Sequence, residues 1–200
     1  MVTIRIRVTA MVLNVVIGCL ACACSTNRPP TSQNDSDRVP SRVMADGKEW
    51  TITNLNIDAK PSYCYDDAEA NCRRYGRLYT WESAQRVCQT LGDRWRLPTD
   101  EEWRQLAKRY GGVMGDSADK GKKVFTALMS GGASGFHAVL GGNRSDGKYA
   151  RLEAHGFYWT ASDNDPSTAP FYNFGKGGHA LNRQPQGQKQ MAISVRCLRD

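Results

Sequence analysis

Three acids in a row, Asp100, Glu101 and Glu102, four cysteines beyond residue 60 (Cys64, Cys72, Cys88 and Cys197) and three histidines (His137, His155 and His179) are residues whose types and spacing could do chemistry. Neighbouring acids suggest general acid–base catalysis, which needs two carboxyls facing one cleft with separated pKa values. The context "RLPTDEEWRQLAKRYGG" argues for architecture instead. Thr99 is a good N-cap, Glu102 three residues later completes a capping box, and acids in a first turn complement the helix dipole. Consecutive helical residues point about 100° apart, so the three carboxyls cannot share a cleft. Zinc needs two close Cys or His pairs, and the histidines stand far apart and alone, so no metal site is expected. An even number of cysteines in an exported chain favours two disulfides, with three pairings open. The polar nine-residue stretch "CYDDAEANC" suits a local staple between Cys64 and Cys72.

The case for export lies at the N-terminus. "MVTIRIR" carries two arginines and no acid, and "VTAMVLNVVIG" then runs apolar over too short a stretch to span a bilayer. The triplet "VIG" before Cys19 resembles the lipobox of bacterial lipoproteins, which implies a signal peptide over residues 1–18 and a lipid on Cys19. Cys22 and Cys24 lack the aliphatic lead. Cys19 and Cys22 form a formal CxxC, but a redox motif needs a folded helix start. Residues 19–43 include "STNRPPTSQNDSDRVPSRV", which has almost nothing to bury and reads as a flexible tether. The folded domain is then 44–200. Setting aside the five arginines and two aspartates before residue 44 leaves +4 of the formal +7, with the basic residues dispersed. Nucleic-acid binding would want a basic stripe interleaved with aromatics, so no such partner is expected.

Within the domain, "TWESAQRVCQTLG" places Trp81, Ala84, Cys88 and Leu91 at helical spacing, between Thr80 as N-cap and Gly92 as stop. The acid run opens a second helix, with Trp103, Leu106, Ala107 and Tyr110 on one face and Gly111 as its end. The terminal "AISVRCLRD" alternates as a half-buried strand, with Ile193, Val195 and Cys197 inward and Ser194 and Arg196 outward. Two inward cysteines, one on the first helix and one on the last strand, would tie the domain's beginning to its end. Between them lie the Gly-rich "SGGASGFHAVLGGNRSDGKY", with a turn at "SDG" and no GK[ST] phosphate-loop ending, and two aromatic strands, "GFYWTAS" and "APFYNFG". The class is α+β: two helices with short twisted antiparallel strands and long Gly-rich loops.

The ordered series "DGKEWTITNLNID", "YCYDD…C", "YGRLYTWESA", "WRLPTDEEW", "SGFHAVLGG", "GFYWTAS" and "SVRCLRD" resembles the Fibrobacter succinogenes major paralogous domain of bacterial exported proteins and lipoproteins. The resemblance covers about Asp46 to Asp200. It implies a C-type-lectin-like fold, close to the formylglycine-generating, sulfatase-modifying domains, with a long disulfide from first helix to last strand that agrees with pairing Cys88 and Cys197. Those enzymes bind copper through two neighbouring cysteines near the C-terminus, whereas this chain has only Cys197 there. Sugar-binding C-type lectins ligate calcium through an EPN or QPD triplet and a WND. The nearest triplet here is "QPQ", Gln184 to Gln186, and no Asp or Glu occurs from Phe171 to Met191. Calcium wants carboxylates among six to eight oxygens, so a calcium-dependent sugar site is not expected.

The expectation is a lipid-anchored binding module at the bacterial outer membrane or cell surface, not an enzyme, with no catalytic residue and no cofactor. Its ligand would be carbohydrate or an envelope protein. The candidate ligand face is Arg144, Tyr149, Tyr172, Asn173, His179, Asn182 and Arg183, whose aromatic and amide groups suit stacking on sugars and bonding hydroxyls. Two other readings stand beside it. One is a structural or adhesive envelope protein; the other is a formylglycine-generating type of enzyme, which would require a thiol free to react.

Overall fold

The computed structural model describes residues 1–3, 39–92 and 94–200. Cys19 and all but the last five residues of the expected tether lie outside the described residues. The chain divides into two units, Met1–Asp35 and Ser36–Asp200, and the fold is that of the second.

Its elements run β1 (Ser41–Val43), β2 (Glu49–Thr51), β3 (Ser62–Tyr63), a 3-10 turn (Tyr65–Asp67), α1 (Glu69–Tyr75), β4 (Leu78–Tyr79), α2 (Trp81–Gln89), α3 (Asp100–Arg109), α4 (Lys122–Leu128), β5 (Asn143–Ser145), β6 (Lys148–Ala150), β7 (His155–Trp159), β8 (Thr168–Gly175), β9 (Ala180–Gln188) and β10 (Leu198–Arg199). The strands form four small sheets, β1-β2-β10, β3-β4, β5-β6 and β7-β8-β9, and their pairings are antiparallel. This is a mixed α+β domain. The described residues hold four α-helices where two were expected. The extra ones, α1 and α4, are seven residues each, and neither has a side-chain N-cap. They form because burying Cys72 and Tyr75, or Val124, Phe125 and Leu128, outweighs weak local propensity. The tether also ends sooner than composition suggests, since Ser41–Val43 pairs with β2 as an edge strand that buries little.

α2 turns Ser83, Ala84, Val87 and Cys88 inward; of the expected face, Ala84 and Cys88 are buried, Trp81 is half-buried and Leu91 lies past the helix end. Thr80 precedes it in extended backbone, but its hydroxyl meets that of Ser83 at 3.1 Å instead of capping the helix. α3 has the expected capping box: Thr99 Oγ1 accepts from the Glu102 amide at 3.2 Å, and Glu102 Oε2 accepts from the Thr99 amide at 2.8 Å. Trp103 and Leu106 of this helix are fully buried. Trp103 stacks on Tyr172 of β8, with ring centres 5.1 Å apart, and meets Trp50 of β2 edge-on at 5.1 Å. Together with Phe136, Tyr158, Phe174 and Leu181 they form one core cluster. The second cluster lies under α2, where Leu55, Tyr79, Trp159, Ile193 and Val195 surround a disulfide between Cys88 and Cys197. A second disulfide joins Cys64 to Cys72.

The C-terminal segment departs from a half-buried strand. Only Leu198–Arg199 is a strand; Ala192, Ile193 and Ser194 make single bridges to Arg144, Tyr79 and Tyr158. Ser194 and Arg196, expected outward, are fully buried. The segment threads between both core clusters, so neither of its faces meets water.

Glu102 shows the acid run working as architecture. Burial alone would raise its pKa, but Arg96 donates to both carboxylate oxygens at 2.7 Å, and the Thr99 amide and hydroxyl add to this, so the value is held down to about 2 against the usual 4.5. A carboxylate held below its unfolded value stabilises the fold above pH 4.5 and loses that contribution as pH falls towards 2. Thermal unfolding midpoints measured from pH 6 down to pH 2 should therefore drop less steeply for Glu102→Gln than for the parent. Parallel slopes would show that Glu102 does not set the acid limit.

Candidate functional site

A half-exposed grouping of chemically capable side chains is built by two constrained pieces. The first is the stretch Tyr63–Asp67, held by the Cys64–Cys72 disulfide and by pairing of β3 with β4. Its turn puts Asp66 and Asp67 in left-handed backbone, both at φ 54°, a conformation short acids tolerate better than most residues. The second piece is the β5–β6 hairpin. Its turn residues Asp146 and Gly147 both have positive φ, 50° and 76°, as the sequence "SDG" predicts for a tight two-residue turn. Register sets Arg144 opposite Tyr149.

The two pieces meet through their side chains. The Arg144 guanidinium lies over the Tyr63 ring, 4.0 Å from its centre, and 5.6 Å from the centre of Tyr149. Tyr149 tilts against Tyr65 at 5.2 Å and donates its hydroxyl hydrogen bond to Asp67 Oδ1 at 2.5 Å. Burial and that carboxylate push the Tyr149 pKa up to about 12, so the phenol stays protonated at neutral pH. Arg144 is anchored by its backbone, which exchanges hydrogen bonds with Ala192 at 2.9 and 2.8 Å. Two polar atoms here, Arg144 Nε and Asn143 Oδ1, are buried without a partner. Three half-buried tyrosines, a cation and an acid thus share one rigid patch. Such a surface can stack on flat apolar faces and bond hydroxyls.

Two of the seven candidate ligand residues, Arg144 and Tyr149, meet in this patch. The other five do not join them. Tyr172 is fully buried, and its hydroxyl donates to Asp100 O at 3.0 Å and Oδ1 at 3.1 Å. Arg183 donates from Nε to both Asp100 oxygens at 2.8 Å, so this pair fastens β8 and β9 to the start of α3. Asn173 and Asn182 oppose each other one register step away, which turns them to the sheet's other face, where the Asn173 amide oxygen lies 2.9 Å from His155 Nδ1. His179 sits in the β8–β9 turn, its ring edge-on to Phe125 at 5.7 Å. Strand alternation separates residues that are close in sequence. Tyr63, Tyr65 and Asp67 lie outside the expected face. Their signal was the spacing in "YCYDD", where two tyrosines flank a cysteine that pins them.

The patch offers binding groups and no activated nucleophile. All four cysteines among the described residues are closed in disulfides. Cys64, Cys72 and Glu69 bring three metal-capable atoms together, but the two sulfurs are bonded to each other, leaving Glu69 alone. Elsewhere, a cleft of about 330 Å³ between α2 and α3 holds Glu102, whose oxygens are taken by Arg96 and Thr99.

Residues 38–199 match the family model described as the Fibrobacter succinogenes major domain. No curated protein and no solved structure matches the chain.

Proposed function

The chain belongs to the Fibrobacter succinogenes major domain family, and from that footing we propose that it is a binding module of the bacterial cell envelope with a C-type-lectin-like fold. In this reading Cys19 carries a lipid after removal of residues 1–18, and a short tether presents the domain to a glycan or other envelope component without calcium. The observation that carries the proposal is the tyrosine–arginine patch. Its groups are half exposed, and they are fixed by a disulfide and a tight hairpin before any ligand arrives, which lowers the ordering cost of binding. The long closure from α2, the second helix, to the residue before β10 supports the lectin-like assignment, because it ties an early helix to the C-terminal end of the domain as the resemblance implies. The closed cysteines favour binding over formylglycine-type oxidation, which needs a reactive thiol.

A glycan array probed with the full-length protein, followed by titration of the best neutral oligosaccharide, tests the reading. Tyr149→Ala and Arg144→Ala are each expected to weaken binding about tenfold, the order of one lost stacking or cation–π contact in a desolvated patch. Retention of full affinity by both variants, or an array without signal, would overturn the glycan assignment. Capture of an envelope protein that depends on the same two residues would move the function to adhesion.

A further inference from the structure

We infer that a second site, separate from the tyrosine patch, takes an oxyanion. The chain leaving β2, the C-terminal end of α1 and the loop after α4 enclose a cleft of about 310 Å³. Among its lining residues are Asn54, Asn56, Arg73, Arg74, Ser130 and His137, and no acid lines it. Arg74 is engaged with Glu153 at 3.1 Å. The Arg73 guanidinium and the side chains of Asn56, Ser130 and His137 have no hydrogen-bond or ion-pair partner among the described residues. All four belong to exposed residues that line the cleft, and each can donate to a ligand there.

The wall behind them is charged as well. Arg196 is fully buried, and its four hydrogen bonds all go to uncharged acceptors: Asn54 Oδ1 at 2.8 Å and the carbonyls of Thr51 at 3.0 Å, Phe136 at 2.6 Å and His137 at 2.7 Å. Two of those partners, Asn54 and His137, line the cleft. The buried cation therefore positions two lining residues and leaves its own charge without an acid in contact. A positive charge in low dielectric behind a cleft that holds free cationic and amide donors draws an anion. The carbonyl end of α1 would repel one, but two of its last four carbonyls are occupied: Asn54 Nδ2 donates to Tyr75 O at 2.8 Å and the Gly76 amide to Cys72 O at 2.9 Å. Gly76 is also required there, because a Cβ on it would lie 2.5 Å from Asn54 Cβ and press that residue out of place.

The ligand class is a compact oxyanion, a phosphate or a uronate-type carboxylate, free or carried on a glycan. α1 connects the two sites, since Cys72 lines the cleft and is bonded to Cys64 between Tyr63 and Tyr65. An acidic oligosaccharide could place a sugar face on the tyrosines and its charge in the cleft, but the oxyanion site stands without the tyrosine patch.

Calorimetric titration of the full-length protein with inorganic phosphate, and with two oligosaccharides that differ only in one carboxylate, tests the proposal. Phosphate should bind, and Arg73→Gln should weaken it about tenfold, the order expected for one charge-assisted hydrogen bond. Tighter binding of the acidic oligosaccharide than of its neutral twin, abolished by Arg73→Gln, identifies a glycan-borne anion. Phosphate binding with no preference for the acidic twin identifies a free one. No heat with either anion, or equal affinity in Arg73→Gln, overturns the site. Loss of neutral-glycan binding with phosphate binding intact counts against the tyrosine patch and not against the cleft.

Discussion

Replacing Cys88 and Cys197 together with alanine is expected to destabilise the domain by about 5 kcal/mol, and the same double replacement at Cys64 and Cys72 by about half that. The bridges close separations of 109 and 8 residues, and the entropy removed from the unfolded chain grows with the logarithm of loop length. A loss of about 5 kcal/mol approaches the whole stability of an ordinary domain, so the first variant should sit near the edge of folding. The second should stay folded. The two bridges also differ in what else they hold. Cys88–Cys197 lies within the cluster under α2, whereas Cys64–Cys72 pins Tyr63 and Tyr65, two members of the proposed binding patch. The Cys64/Cys72 variant should therefore lose binding out of proportion to its loss of stability. Urea unfolding midpoints of the two double variants decide the order, and equal midpoints would show that loop length does not govern the gain.

The parts of the fold that were legible in the sequence are those whose signal is local. α3 could be read because Thr99, Glu102 and the Trp103–Leu106–Ala107 stripe act within ten residues of each other, and α2 because its apolar spacing matches one helix face. The Asp146–Gly147 turn was legible for the same reason. Illegible features are those decided by distant partners. α1 and α4 carry no cap and owe their existence to the core they cover. The alternation in "AISVRCLRD" was real, but whether its outward face meets water depends on Thr51, Asn54, Phe136 and His137, up to 145 residues away. The seven candidate ligand residues are not brought together, for a geometric reason. Tyr172 and Asn173 are neighbours in sequence and face opposite sides of the sheet, and no single-strand pattern says which side is covered until α3 is placed on it. Tyr63 and Arg144 meet only because the β5–β6 hairpin packs against the separate, disulfide-held stretch Tyr63–Asp67.

Arg196→Met is expected to cost about 2 to 4 kcal/mol, and two opposing effects set that range. The guanidinium is a burden in itself, since burial pulls its pKa down to about 10 from 12.5, a penalty on the order of 3 kcal/mol for holding the charge there. Methionine fills a similar volume and removes that penalty. It also strands four acceptors, three of them backbone carbonyls, each costing about 1 to 2 kcal/mol when buried and unpaired. It loses as well the cation's place over the Phe136 ring, 4.4 Å from its centre. The stranded acceptors win because Thr51 and Phe136 are fully buried and water cannot replace the guanidinium there; those at Asn54 and His137, which line the cleft, contribute less. Lysine separates the effects further: it keeps a charge but presents a compact ammonium that cannot span acceptors from Thr51 to His137, so Arg196→Lys should be no more stable than Arg196→Met. Chemical unfolding of the two variants decides between these effects. A lysine variant close to the parent would mean that charge alone is needed there, and a methionine variant as stable as the parent would mean that the guanidinium's hydrogen bonds add nothing to the fold.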